Sequence, residues 1–146
     1  VFLRNDVAAK GTLDGMTYHT FAEELEDLAA MGTVVQMAER DNWTANAAAR
    51  GQQLQEGFET IVRPKSLIDF STHGRGLMFA VLLDTEERVK AVLKQAPLDG
   101  WVCGKGGVDN RVLRIAPPIN SSEALIDELI KKAADTFASK AVEEAA

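Results

Sequence analysis

A chain of 146 residues is the size of one ordinary domain, or of one domain with part of another. Its 46% hydrophobic content can fill a core, whereas 16 basic against 22 acidic residues, a formal net charge of −6, argues against nucleic-acid or anionic-membrane partners, which need a basic face. Apolar runs stop short of the roughly 20 residues that cross a bilayer, and VFLRNDVAAK lacks the apolar core of a secretory leader. Cys103 is the only cysteine, so no internal disulfide is possible and a reducing, cytoplasmic setting is expected. The start at Val1 rather than Met suggests a cut from a longer protein, or processing of the chain.

Residues 1–20 read as irregular or short-strand structure, with Gly11 and Gly15 at turns. Leu25, Leu28, Ala29, Gly32, Val35 and Ala38 then recur at spacings of three and four, the period of a helix. The acidic Glu23, Glu24, Glu26 and Asp27 suit its N-terminal turn, a simpler role for them than a metal or acid–base cluster. Asp41-Asn42 offers a break and a cap. A second helix is predicted from about Trp43 to Thr60, with Ala47, Leu54 and Phe58 on one face, ending at Arg63-Pro64.

Beyond that proline the texture becomes short strands and amphipathic helices. Leu77–Leu83 is a continuous apolar run and reads as a buried strand. Asp84 with Glu87 forms a capping-box pattern for a helix whose Val89, Val92 and Leu93 face inward. Pro97 and Gly100 close it, Trp101–Cys103 begins a strand, KGGVDN (105–110) is a turn, and a strand surrounds Arg114. Asn120 with Glu123 caps a last helix striped by Leu125, Ile126, Leu129, Ile130, Ala133 and Phe137. The element order is that of an α+β or mixed fold. The boundary is expected near Arg63-Pro64, dividing the chain into 1–62 and 63–146.

Candidate chemistry is sparse. Gly74-Arg75-Gly76 and Lys105-Gly106-Gly107 precede strands, the wrong order for a phosphate loop, and read as turns. His19 and His73 have no metal-ligand spacing, so no metal site is expected; His73 lacks an evident catalytic partner, and Cys103 reads as a small buried hydrophobe. Arg114 stands apart. A guanidinium among Val112, Leu113, Ile115 and Ala116 is costly unless paired, which leaves an internal ion pair and a bound carboxylate evenly balanced.

HGRGLMFAVLL, the helix after it, and RVLRIAPPINSSEALIDELI resemble the C-terminal small domain of the class-III aminotransferases, fold-type-I pyridoxal-phosphate enzymes. HTFAEELEDLAAMGTVVQMAERDNW resembles their threonine-centred turn and the alanine-rich helix that follows. Dialkylglycine decarboxylase is a similar branch, so decarboxylation stays open beside transamination. The resemblance implies an α+β fold with a short, mainly antiparallel sheet covered by helices, preceded by a long connecting helical region. It implies that Arg114 binds the substrate's α-carboxylate. It also implies that Thr20, in preference to Thr17, holds the cofactor phosphate in the neighbouring subunit of a homodimer. It implies an amino donor and a 2-oxo acid as substrates. His19 and Ala22-Glu23-Glu24 depart from the family pattern beside that threonine. No lysine here matches the family's Schiff-base lysine, so the chain is expected to lack catalytic residues and to depend on an absent N-terminal cofactor domain. A non-catalytic standalone module is the alternative from another class.

Overall fold

The computed structural model describes residues 25–145 and divides the chain into two units, 1–40 and 41–146. Thr17, His19, Thr20, Glu23 and Glu24 lie outside the described residues, as do the side chains of Leu25, Glu26, Asp27 and Leu28. In the first unit, α1 (Leu25–Arg40) bears out the predicted helix. Val34 and Val35 on it are about half exposed.

The second unit opens with α2 (Trp43–Gly57), and the break before it is Asn42 in a left-handed conformation, φ 53°, whose side chain makes no cap. The helix does not stop at Thr60. It widens into a π turn over Phe58–Val62 and tightens into a 3-10 turn over Arg63–Lys65. Pro64 is accommodated there because its missing N–H falls in a first turn that needs no such donor. Leu54, Phe58 and Val62 are fully buried along this continuous segment.

Four strands then form one antiparallel sheet in the order β1-β2-β4-β3: β1 (Ser71–Arg75), β2 (Met78–Leu82), β3 (Gly104–Gly106) and β4 (Val112–Ile115). The sheet is mixed in exposure by strict alternation. Phe79, Val81, Leu113 and Ile115 are buried on one face, while Met78 and Arg114 are exposed on the other. Strand β1 has no apolar signature because its inward positions, opposite Val81 and Phe79, are Thr72 and Gly74. The glycines before β2 are the tip of the β1–β2 hairpin, with Gly76 at φ 56°. The strand expected at Trp101–Cys103 is displaced to Gly104–Gly106. Trp101 is instead a buried anchor, its Nε1 donating to the Thr136 hydroxyl at 2.8 Å, which in turn donates to Asp99.

Two helices cover the inner face with α2: α3 (Glu86–Gln95) and α4 (Glu123–Phe137), followed by the single turn α5 (Lys140–Glu143). Both predicted caps shift. Thr85, not Asp84, caps α3 by accepting from the Arg88 amide, which frees the Asp84 carboxylate to pair with the Arg88 guanidinium. Ser122, not Asn120, caps α4 by accepting from the Leu125 amide. Ile126, Ile130, Ala133 and Phe137 of the predicted stripe are buried, whereas Leu125 lies at its edge, 46% exposed. Phe58, Phe70, Phe79 and Phe137 meet in one aromatic cluster, with ring centroids 5.0–6.1 Å apart.

Candidate functional site: an arginine on the outer sheet face

Arg114 lies on the outer face of β4, between Ala80 of β2 and Gly104 of β3. The alternation that buries Leu113 and Ile115 delivers Arg114 to the opposite side, so the guanidinium never enters the core. That removes the apparent conflict of a charge in an apolar strand: the run is apolar in composition, yet only alternate residues are enclosed. The ion-pair reading has no support among the described residues. Arg50, Arg63, Arg88 and Arg111 each pair with a carboxylate, Glu123, Glu59, Asp84 and Asp109 respectively. Arg75 and Arg114, both outside the core, make no ion pair among the described residues.

The segment that follows Arg114 is held from α2. Asn46 donates its side-chain amide to the carbonyls of Ile119 (2.9 Å) and Ser121 (3.1 Å), and Gln53 donates to the Glu123 carbonyl at 3.1 Å. Ser121 Oγ donates back to the Pro118 carbonyl at 2.7 Å. These bonds and the fixed φ of two prolines make the exit of β4 a rigid corner. Pro117 borders two depressions. One, of about 250 Å³, is floored by Trp101, Ile115, Pro118 and Leu129; the other, of about 420 Å³, lies among Thr44, Ala47, Arg75, Met78 and Ala116.

His73 is exposed on β1, with Ser71 Oγ 3.2 Å from its Nε2. Cys103 is half-buried rather than fully enclosed, and burial pushes its thiol up to about 11. Since the thiolate is the reactive species, alkylation of Cys103 is expected to be slow at pH 8 and to accelerate only as pH approaches that value. Iodoacetamide labelling followed by intact mass across pH 7–11 checks this; rapid labelling at pH 7 would contradict it.

Groups of three or more potential metal-binding side chains are absent among the described residues. The described lysines are exposed except Lys132, which is half-buried and tied to Glu128 and to the Gly100 carbonyl. No described helix is long and apolar enough to cross a membrane.

No protein-family model matches the sequence. The chain is 31% identical over 126 residues to the L-lysine-epsilon aminotransferase of Amycolatopsis lactamdurans, covering 83% of this chain and 27% of that protein. It is 30% identical over 122 residues to the mitochondrial alanine–glyoxylate aminotransferase 2 homolog 2 of Arabidopsis thaliana, covering 78% and 25%. A phospholyase from Arthrobacter, solved in complex with phosphoethanolamine, shares the fold with a TM-score of 0.76 at 22% identity, covering 92% of this chain and 34% of that one. The chain thus spans about a quarter of the length of the curated relatives it matches. In sequence and in fold it is a relative of the class-III pyridoxal-phosphate aminotransferases.

Proposed function

We propose that this chain is the C-terminal part of a pyridoxal-phosphate-dependent aminotransferase that moves an amino group between an amine or amino acid and a 2-oxo acid, and that its contribution is the substrate's carboxylate site. One observation carries the reading: in a chain of net charge −6, Arg114 is exposed beside a rigid double-proline corner and has no carboxylate of its own among the described residues. Its planar fork of donors, unpaired among the described residues, suits an external carboxylate, a bidentate match that an ammonium cannot reproduce. The corner at Pro117-Pro118 fixes where β4 ends, and the bonds from Asn46 fix that corner, so the arginine is held on a stiff support.

The cofactor, when bound, supplies the electron sink for the amino group. No lysine of the sequence matches the family's Schiff-base motif, and on that ground the chain is assigned to binding and orienting substrate and is expected to be inactive alone. The Schiff-base lysine is assigned to a cofactor domain preceding residues 1–62, which form the end of that domain and its connecting helices, while 63–146 form the small domain. Thr20 is assigned to the cofactor phosphate across a homodimer interface, in the cytoplasm.

Arg114→Lys in the catalytically complete enzyme is expected to raise KM for a carboxylate-bearing substrate about tenfold or more, the worth of a lost charge-assisted bond, with KM for a carboxylate-free amine unaltered. Equal KM values in variant and parent would remove Arg114 from the site. A second reading, a standalone interaction module, draws on residues 41–146 being a compact unit with its own core. Mixing the chain with an N-terminal half that carries a lysine distinguishes the two, because transaminase activity returns only under the first.

A further inference from the structure

We infer that Gly104 is a positioning residue for Arg114: its missing side chain makes the shelf across which the guanidinium lies. The inference rests on the carboxylate-binding reading of Arg114 for its functional consequence, and on geometry alone for its structural part.

Gly104 stands directly opposite Arg114 in the β3–β4 ladder. A Cβ placed on Gly104 would sit 3.4 Å from Arg114 Nη2, 3.5 Å from Nε and 3.8 Å from Cζ. The guanidinium therefore extends over β3, at van der Waals distance above the Gly104 position, and not back over Ala80 on β2. Nothing in the backbone demands a glycine there, since Gly104 is not among the residues with positive φ. β3 is an edge strand of three residues, two of them glycine, in a region where β-branched residues suit a strand better. What its glycine provides is the space above it. A single methyl group would just touch the guanidinium. A second carbon layer, about 1.5 Å further out, would occupy the volume in which Nη2 and Nε lie and swing the fork off its plane.

The same strand contains its own control. Gly106 lies on the same side of β3, two residues on, and a Cβ there would meet nothing within 4 Å. A bulky residue at Gly106 fills open space, whereas the same residue at Gly104 displaces Arg114. A merely structural role for the β3 glycines would make the two positions alike.

The test has two readouts. In the 146-residue chain, the Arg114 Nε–Hε resonance in a ¹⁵N spectrum is expected to move in Gly104→Val, to move little in Gly104→Ala, and to stay in place in Gly106→Val. In the catalytically complete enzyme, Gly104→Val is expected to raise KM for a carboxylate-bearing substrate about tenfold at unchanged kcat, with Gly104→Ala within about twofold and Gly106→Val unaltered. Combined with Arg114→Lys, Gly104→Val should add nothing further, because it acts through the fork that lysine lacks. Should Gly104→Val not fold, Gly104→Ser carries a single γ atom into the same volume. A resonance unmoved by Gly104→Val, or moved equally by Gly106→Val, overturns the inference, as does a rise in KM that is the same for a carboxylate-free amine. If Arg114→Lys raises KM and Gly104→Val does not, this inference fails alone; if the resonance moves but Arg114→Lys is without effect, the shelf stands and the carboxylate site is what fails.

Discussion

Phe58→Ala is expected to remove about 3–5 kcal/mol of stability, the range for truncating a fully enclosed phenylalanine. Phe58 is wholly buried and touches three other rings, with centroids at 6.1 Å (Phe70), 5.0 Å (Phe79) and 6.0 Å (Phe137). Those partners come from the segment before β1, from β2 and from α4, so one side chain fastens α2 to the sheet and to the last helix. The cavity left by its removal is bounded by aromatic rings and secondary elements that cannot collapse into it. A domain of this size holds only about 5–15 kcal/mol in total, so the loss is a large share of the whole. Urea unfolding followed by circular dichroism measures the loss. A change below about 1 kcal/mol would show that the cluster repacks.

Gly51→Ala is expected to destabilise even though helix propensity predicts the reverse. In a helix interior, alanine is favoured over glycine by about 1 kcal/mol. Gly51 sits in the middle of α2, but its Cβ would lie 2.4 Å from the Gly76 carbonyl oxygen and 2.5 Å from the Gly76 Cα. The obstacle is hairpin backbone, which cannot swing aside as a side chain would. Gly76 is itself held at φ 56°, a conformation that limits its alternatives. The clash should outweigh the propensity and leave a net loss of about 2 kcal/mol. Gly32→Ala supplies the contrast: nothing lies within 4 Å of that position on α1, so propensity acts unopposed and stability should rise or hold. Thermal melts of the two variants should therefore move apart, and a gain in Gly51→Ala would refute the close approach of helix and hairpin.

The parts of the fold legible in the sequence are those where one face of an element is uniformly apolar. The α4 stripe and the Leu77–Leu83 run announce themselves because Ile126, Ile130, Phe79 and Val81 are all enclosed. β1 does not, because its positions opposite Val81 and Phe79 are Thr72, whose hydroxyl donates to Glu59, and Gly74, where a side chain would meet the β2 backbone at Met78. The caps slip by a residue or two for a different reason. Asn120-Ser121-Ser122 offers three side-chain oxygens in succession, and Ser121 is drawn away by the Pro118 carbonyl, leaving Ser122 to meet the Leu125 amide. At α3, the pair Glu86-Glu87 after Thr85 was the available signal, since carboxylates collect in the first turn behind the cap. Arg114 was conspicuous in the sequence as a charge among apolar residues. Its significance was hidden because composition does not reveal alternation in a four-residue strand. Gly104 was invisible, for a residue that acts by lacking a side chain leaves no chemical mark.

The widened turn at Phe58–Val62 has a counting consequence. A π turn holds one more residue than the α turn it replaces. Before it, α2 is phased to the core by its buried Leu54; after it, Arg63 reaches the Phe70 carbonyl with its guanidinium at 3.0 Å. The bulge absorbs the mismatch between these two phases. Shortening the segment by one residue would straighten it into an ordinary helix and turn α2 by about 100° relative to Pro64. In such a molecule either Leu54 or Val62 would face water, so the length of this segment is fixed to the residue.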